Sequence, residues 1–370
     1  MSFINSRWWR SALAVIAASA CGGSSPSFDD AGEGFVDTTR FVAACTAYND
    51  ACTATHGKDC GTCQYRIRFD RQQCSPSRPC ANLVLLWAFM GCEGDQVRGL
   101  FDDILATHPG YVAACVQPLY PGELLPTSLG APERDITVMT ELFAALHDDP
   151  DTGVWTGENL LMTGCSAGAS RYPVVAARYP DDARWLGSAK TAACFSDGVV
   201  SVSYQDEYVG EAIGTGGTSC AARHGRIASA YSAASPTAVH SCTASGGGPC
   251  ACDPAHAPRI YPGDCGDGDC VGFDSIVEST PTGFALAGGV TPGSFAVTSW
   301  RLVSEGDGFR TTAQRCDRDV VPEAPFRGLC DAIDGDPNMS CSFVSLPESP
   351  HCGQYMQDLG AICVDWFESL

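Results

Sequence analysis

The sequence predicts an α/β protein, with a mostly parallel central sheet flanked by helices, and two observations lead to that prediction. From about Ala81 to Gly198, apolar runs of strand length alternate with segments of helical spacing, as in parallel strands joined by crossover helices. Within this alternation, the apolar run Asn159–Thr163 turns through Gly164-Cys165-Ser166-Ala167-Gly168 into a further helical segment. A strand, a Gly-x-Ser-x-Gly turn and a helix together form a nucleophile elbow, whose central side chain projects from the sheet edge.

The alternation assigns most elements from their length and periodicity. Apolar spacing at Ile136, Met139, Leu142, Phe143 and Leu146, for example, predicts one helix. The predicted strands are Tyr65–Phe69, Ala81–Met90, Tyr111–Pro118, Asn159–Thr163, Ser188–Phe195 and Phe295–Val303. The predicted helices are Gln96–His108, Asp135–His147, Ala169–Tyr179 and Gln354–Leu370.

Three stretches depart from this pattern. Residues 35–80 form a Cys-rich N-terminal segment, predicted to pack as a disulfide-stapled lead-in on the catalytic domain, residues 81–370. Residues of about 204–282 are rich in Gly, Ser, Pro and Cys and predict an insertion over the site. Within it, Asp264–Cys270 is acidic but lacks the spacing of a calcium-binding EF-hand loop, which favours a solvated loop. A second loop-rich stretch is expected up to Pro350.

The N-terminus predicts export. Arg7 and Arg10 precede the short apolar run Ser11–Ala20, which is too short to span a bilayer and is typical of a signal peptide over residues 1–20. Ala18-Ser19-Ala20-Cys21 resembles a bacterial lipobox, in which the Cys is acylated. Cleavage of an ordinary secretory signal near Ala20 is the alternative. Residues 21–34 are rich in Gly, Ser and Asp and are expected to act as a flexible tether.

Composition limits the compartment and the partners. The net charge of −21 with 22 Lys plus Arg argues against nucleic acid and against adsorption to anionic membranes. The 22 Cys indicate disulfides in an oxidising compartment. Zinc is the competing hypothesis for Cys60-x-x-Cys63 and Cys250-x-Cys252. Cys165 is expected to stay without a disulfide, because a bridge there would tether the elbow, and to fill space behind the turn.

The elbow requires a base and an acid, since a serine hydroxyl is a poor nucleophile until a positioned imidazole accepts its proton. In hydrolases of this type the acid and then the His follow the serine along the chain. His351 follows the last predicted strand and precedes the terminal helix, and Asp307 lies just past that strand. They are the predicted base and acid for Ser166. The substitutes for Asp307 are Asp317, Asp319 and Asp334.

An oxyanion hole is predicted from two backbone N–H groups. One belongs to Ala167, the residue after the nucleophile. The other belongs to Gly91 or Cys92, in the loop after an early strand. This chemistry requires no metal and no organic cofactor.

The order and setting of Ser166, Asp307 and His351 resemble the α/β-hydrolase superfamily, over roughly Tyr65 to Leu370. Met90-Gly91-Cys92 is similar to the His-Gly-Cys loop of secreted polyhydroxybutyrate depolymerases and feruloyl esterases, with Met90 in place of His. Thr163–Gly168 resembles the elbow of pectin acetylesterases and Notum-type carboxylesterases. The resemblance implies the α/β-hydrolase fold and ester hydrolysis.

The expected function is therefore that of an exported serine ester hydrolase, acting on a small ester, a polyester or an acylated polysaccharide. Membrane contact is expected only through a lipid on Cys21. A secreted serine peptidase on the same machinery is one alternative. A non-catalytic surface lipoprotein with a hydrolase-like fold is the other, and it predicts that the three site residues do not converge.

Overall fold

The structure is a computed structural model, and it covers the sheet and the helices packed on it. It describes residues 34–42, 63–87, 91–117, 132–166, 168–169, 190–198, 200, 242–243, 249–250, 276–280, 283–286, 290–295, 297–305, 323–346, 349 and 352–370. The predicted signal peptide, Cys21, the tether apart from Gly34 and most of the 204–282 insertion lie outside these residues.

Eight strands form one sheet in the spatial order β1-β2-β4-β3-β5-β6-β11-β12. Only β2 runs antiparallel to its neighbours. The strands of this sheet are β1 (Phe35–Phe41), β2 (Gln64–Asp70), β3 (Cys80–Trp87), β4 (Tyr111–Gln117), β5 (Trp155–Cys165), β6 (Lys190–Ser196), β11 (Ser299–Glu305) and β12 (Ser340–Leu346).

Four shorter strands form two small antiparallel pairs away from this sheet: β7 (Cys242–Thr243) with β8 (Pro249–Cys250), and β9 (Val277–Thr280) with β10 (Gly283–Leu286).

Helices cover both faces of the sheet. They are α1 (Asp95–Thr107), α2 (Pro132–Asp148), α3 (Glu323–Asp334), α4 (Gly353–Gln357), a π-helical turn (Gly360–Val364) and α5 (Asp365–Ser369). Alternate residues of β3 belong to different cores. Leu83 and Leu85 pack with α2 and α3, whereas Val84 and Leu86 pack with α1 and the C-terminal helices. A strand covered on both faces needs an unbroken apolar run, which β3 has.

The first half of the chain follows the sequence prediction closely, apart from its N-terminal segment. The predicted strands and helices between Tyr65 and Phe195 are present wherever the structure describes them. The Cys-rich segment was expected to pack on the domain, but β1 and β2 are strands of the central sheet itself. β2 pairs with β4 over six registered positions, from Gln64↔Gln117 to Phe69↔Val112.

The C-terminal part differs more. β11 begins at Ser299, four residues after the predicted start at Phe295, and a short 3₁₀ turn at Pro292–Ser294 precedes it. The expected loop-rich stretch before Pro350 contains α3 and β12, so that prediction was wrong. The single terminal helix is broken at Asp358 and continues through the π-helical turn.

Disulfides cross-link the described part of the fold, and two of them, Cys165–Cys352 and Cys194–Cys363, join elements that lie far apart in the chain. Eleven cysteines with described side chains, including Cys63, are disulfide-bonded, which favours disulfides over zinc. The described pairs are Cys74–Cys80, Cys92–Cys115, Cys165–Cys352, Cys194–Cys363 and Cys330–Cys341. The expectation that Cys165 has no disulfide is therefore wrong. Among the described helices, none has both the length and the apolar character needed to cross a membrane.

Candidate active site

The turn after β5 has the strained backbone of a nucleophile elbow. Ser166 follows the last residue of β5 directly and has a φ of 54°. A left-handed conformation is uncommon for a residue with a Cβ, and such strain clusters at functional sites. The Ser166 N–H donates to the carbonyl of Ser196, at the end of the adjacent strand β6, over 3.0 Å. Ser166 is half-buried, so its side chain lies at the boundary between core and surface.

Both glycines of the Gly-x-Ser-x-Gly turn are required by close packing. A Cβ on Gly168 would lie 2.1 Å from the carbonyl oxygen of Trp87, the last residue of β3. A Cβ on Gly164 would lie 3.0 Å from the backbone of Gly168 and 3.0 Å from the ring of Phe195. The chain leaving the elbow therefore crosses directly over the end of β3, which only a residue without a side chain permits.

A disulfide ties the elbow to the C-terminal segment. Cys165, immediately before Ser166, is bonded to Cys352, and their Cα atoms are 5.9 Å apart across a sequence separation of 187. Both cysteines are buried. Cys352 has a φ of 56° and precedes α4. The two left-handed residues Ser166 and Cys352 thus lie at one edge of the sheet.

Asp197 is a buried carboxylate at the same edge. It follows β6 directly, has a φ of 52° and is fully buried. Its Oδ1 accepts the N–H of Glu305 over 2.6 Å, and its Oδ2 accepts the N–H of Cys352 over 3.0 Å. One carboxylate therefore links the ends of β6 and β11 to the start of the C-terminal segment.

Glu305 is a second buried carboxylate, at the end of β11. Its oxygens accept the N–H groups of Gln354 and Tyr355, over 2.8 Å and 2.7 Å, in the first turn of α4. They also accept the hydroxyl groups of Ser196 and Ser349. Burial raises the pKa of Glu305, and the nearby charge of Asp197 adds to that shift. These contacts fix the first turn of α4.

The loop after β3 is anchored away from the elbow. Gly91 has a φ of 104°. The Cys92 N–H donates to Gln117 Oε1 over 2.9 Å, and the Cys92 carbonyl accepts from Arg66 Nη1, also over 2.9 Å. Because its amide is already engaged, Cys92 is not available as an oxyanion donor in this arrangement. Gly91 remains the predicted donor from this loop.

The structure places the predicted site only in part. Ser166, Gly91 and Cys92 are described, whereas Asp307, His351 and Ala167 lie outside the described residues. The segments beside the predicted acid and base are nevertheless defined. β11 ends two residues before Asp307, and Cys352 follows His351 directly.

Two groups of side chains have donor atoms close enough to suggest a metal site among the described residues. The first is Cys165, Asp197 and Cys352, but its two sulfur atoms are joined in a disulfide and are not thiolate ligands. The second is His108, Asp365 and Glu368, where His108 Nε2 lies 2.9 Å from Asp365 Oδ1 in an ion-pair geometry. Neither group indicates a metal-dependent reaction at the elbow.

Comparison with solved structures gives matches that extend over most of this chain. An S-formylglutathione hydrolase from Agrobacterium tumefaciens is 10% identical, with 94% of this chain and 99% of that chain covered and a TM-score of 0.46. A fungal esterase from Rhizomucor miehei is 11% identical, with 93% and 86% covered and a TM-score of 0.46.

Dipeptidyl peptidase 4 from Porphyromonas gingivalis is 11% identical over 91% of this chain, with a TM-score of 0.45. The chain spans 36% of the length of the dipeptidyl-peptidase chains that it matches. No protein-family model matches the sequence, and no curated protein matches it either.

The chain has an α/β fold, in which a mostly parallel eight-stranded sheet is covered on both faces by helices. The sheet is parallel except for β2, and the elbow follows the central strand β5. The carboxyl ends of the parallel strands β5, β6 and β11 meet at one edge of the sheet, where ligands of open α/β sheets bind.

Sequence reasoning did not identify Asp197 and Glu305 as parts of this edge. A polar residue that ends an otherwise apolar strand of a parallel sheet was the available signal, because the carboxyl ends of parallel strands meet at the edge where ligands bind.

Substitution of the second elbow glycine tests the close packing. Gly168→Ala is expected to lower the free energy of unfolding by about 1–3 kcal/mol or more, because the new Cβ would overlap the Trp87 carbonyl. Gly99→Ala is the matched control, since Gly99 lies within α1 with open space around its Cβ position. That variant should gain about 0.5–1 kcal/mol. Urea denaturation measures both, and equal effects would contradict the packing.

Glu305 gives a pH-dependent prediction. Its pKa is raised above 4.5 in the folded state, so the unfolded chain loses this proton first as the pH rises. The stability difference, unmodified protein minus Glu305→Gln, should therefore be largest below pH 4.5 and decrease as the pH rises through the folded-state pKa. Urea denaturation from about pH 3 to 8 measures it, with the exposed Glu158→Gln as a control. A difference that increases with pH would show a lowered pKa instead.

Proposed function

We propose that this protein is an exported serine ester hydrolase. Ser166 Oγ attacks the carbonyl carbon of an ester while His351 accepts its proton, and Asp307 orients and stabilises the imidazole. The tetrahedral intermediate collapses, and His351 returns the proton to the departing alcohol. Water then attacks the acyl-enzyme with its proton passing to His351. Release of the carboxylic acid restores Ser166.

The Cys165–Cys352 disulfide carries the proposal. It joins the residue before the proposed nucleophile to the residue after the proposed base, with Cα atoms 5.9 Å apart. Consecutive Cα atoms are about 3.8 Å apart, so the chain itself limits the distance between Ser166 and His351. The disulfide brings Cys165 and Cys352, which are described, together at one edge of the sheet, and this supports the assignment of a nucleophile and its base to the residues next to them.

Hydrogen bonds to the segment that begins at Cys352, next to the proposed base, support the same assignment. Asp197 accepts the N–H of Cys352, and Glu305 accepts two N–H groups in the first turn of α4. A catalytic imidazole must keep a defined distance and orientation, because small displacements cost large factors in rate. Asp307 is proposed as the acid because it follows Glu305 by two residues, beyond the end of β11.

The oxyanion is assigned to the amides of Ala167 and Gly91. The Ala167 amide follows the nucleophile, at the position that this type of elbow uses. The Gly91 amide is assigned because the Cys92 amide already donates to Gln117. Both donors are backbone groups, so the assignment requires no cofactor and no metal.

Export and substrate class complete the proposal. The eleven described cysteines that are disulfide-bonded suit an oxidising compartment, and the N-terminal sequence suits a lipid on Cys21 or a secreted form. The proposed substrates are esters, either small molecules, polyesters or acylated polysaccharides. Nucleic acid is not a proposed partner, and the lipid on Cys21 is the only proposed contact with a membrane.

A fluorophosphonate probe tests the proposal. A soluble form beginning after Cys21, expressed in an oxidising compartment, should be labelled at Ser166, as located by peptide mass mapping. His351→Ala should abolish the labelling. His108→Ala is the matched control and should keep it, because that imidazole is paired with Asp365. Folded protein that reacts nowhere with the probe would remove the support for a serine hydrolase.

Removal of the elbow disulfide tests the placement of the base. The double variant Cys165→Ala/Cys352→Ala is expected to react with the probe about 10- to 100-fold more slowly, since the His351 segment loses one of its ties. Cys330→Ala/Cys341→Ala is the matched control, because it removes a disulfide between α3 and β12. Equal labelling rates in the two double variants would show that the elbow disulfide does not position the base.

A further inference from the structure

Cys92 is held by three contacts, two through its backbone and one through its sulfur. Its N–H donates to Gln117 Oε1 and its carbonyl accepts from Arg66 Nη1, each over 2.9 Å. Its sulfur is bonded to Cys115 on β4. Cys92 is fully buried. All three partners lie on β2 and β4, on the side of β3 opposite to the elbow strand β5.

Gly91 explains why such anchoring matters. The peptide between Gly91 and Cys92 is held by its own N–H, which donates to Gln117, and the Cys92 carbonyl and sulfur hold the chain just after it. The N–H of Gly91 belongs to the preceding peptide. Only φ and ψ of Gly91 separate these two peptides. Glycine is the residue least restricted in these dihedrals, so its amide has a defined direction only if the next peptide is held. A Cβ on Gly91 would lie 3.1 Å from Gln117 Oε1, which shows how closely that side chain lies to the turn.

Arg66 is in turn held rigidly. Its Nε and Nη2 donate to the two carboxylate oxygens of Asp37, over 2.6 Å and 2.5 Å, leaving Nη1 directed at the Cys92 carbonyl. Burial opposes ionisation of Asp37, but the hydrogen bonds and charges of Arg66 and Arg68 outweigh it and lower the Asp37 pKa. A planar guanidinium that makes two hydrogen bonds to one carboxylate has little rotational freedom, so its remaining donor, Nη1, has a fixed position.

Gln117 is the acceptor for the Cys92 N–H, and it is itself held in place. Its Oε1 accepts from Gln64 Nε2 over 2.7 Å as well as from the Cys92 amide. Both glutamine side chains are buried. The acceptor for the Cys92 N–H is therefore itself oriented by a neighbouring strand.

We infer that Arg66 and Gln117 are positioning residues for the oxyanion hole: Gln117 holds the peptide after Gly91 and Arg66 holds the peptide after Cys92, so that the Gly91 amide points at the developing oxyanion. The inference rests on the proposed ester hydrolysis. It concerns the transition state, because a donor aimed at the oxyanion stabilises the tetrahedral intermediate more than the bound ester. Neither side chain touches the substrate.

Arg68 provides the contrast that separates positioning from stability. It lies two residues along β2 on the same face, is equally buried and shares Asp37 with Arg66. Its remaining described hydrogen bonds go to Asp102 on α1, its guanidinium also lies over the Phe35 ring, and none of its described hydrogen bonds reaches the loop after β3. The two arginines are thus alike in burial and charge and differ in what their third contact holds.

The experiment compares Arg66→Lys with Arg68→Lys in the full protein with its disulfides intact. Lysine keeps the charge but cannot hold both Asp37 oxygens and the Cys92 carbonyl at once. The measurements are kcat and KM on a chromogenic ester, the Ki of a trifluoromethyl ketone and the melting temperature. Arg66→Lys should lower kcat about 10- to 100-fold with KM nearly unchanged. The Ki should rise by the same factor, because the ketone adduct carries the oxyanion. Arg68→Lys should leave both kcat and Ki within about twofold of the unmodified protein.

A second variant protects the test against misfolding. Gln117→Met keeps the length of the side chain and removes the acceptor of the Cys92 amide, and it should give the same linked change in kcat and Ki. Equal kcat and Ki in the Arg66→Lys and Arg68→Lys proteins, with Ser166 still labelled by the probe, would overturn the positioning role alone. Absence of Ser166 labelling in unmodified protein would overturn the proposed hydrolase and this inference together.

Discussion

The disulfide between Cys165 and Cys352 is the constraint on which the candidate site depends. On the chain-entropy model, a cross-link spanning a loop of this length stabilises a protein by about 5 kcal/mol. Cys194–Cys363, with a sequence separation of 169, already closes nearly the same loop, so the second bridge adds much less to global stability. Its separate contribution is local, because it alone joins the residue before Ser166 to the residue before α4.

The buried carboxylates of Asp197 and Glu305 hold the segment that begins at Cys352 through hydrogen bonds rather than a covalent bond. Burying Asp197 and Glu305 side by side costs free energy, because each charge is removed from water and repels the other. Hydrogen bonds from the backbone of Glu305, Cys352, Gln354 and Tyr355 offset that cost. Such a network stays satisfied in only one arrangement of the three chain segments. It therefore fixes the position of the segment that begins at Cys352, whereas apolar packing alone would tolerate sliding.

The sheet and the elbow could be predicted from the sequence, but the contacts that hold them in place could not. Parallel strands covered on both faces appear in the sequence as unbroken apolar runs such as Leu83–Trp87, and the elbow appears as glycines at a fixed spacing. No local pattern pairs Cys165 with a cysteine 187 positions away. The alternation in Tyr65–Phe69 suited a half-buried strand, yet Arg66 and Arg68 are buried, because Asp37 comes from a strand the sequence did not predict. α3 was missed although Phe326, Leu329 and Ile333 carry helical spacing, since the surrounding Pro, Gly and Cys favoured a loop.

Two distant parts of the chain hold the elbow and the loop after β3 in place. Strands β1 and β2, which resembled a separate lead-in, reach the loop after β3 through Asp37 and Arg66. The segment from Cys352 onward reaches the elbow from the other side, through its disulfide and through Asp197. Neither set of contacts passes through the other, because β3 and β5 lie between them in the sheet. The loop after β3 and the segment from Cys352 onward are therefore held by separate contacts, and the close contact of Gly168 with Trp87 is where β3 and the elbow meet.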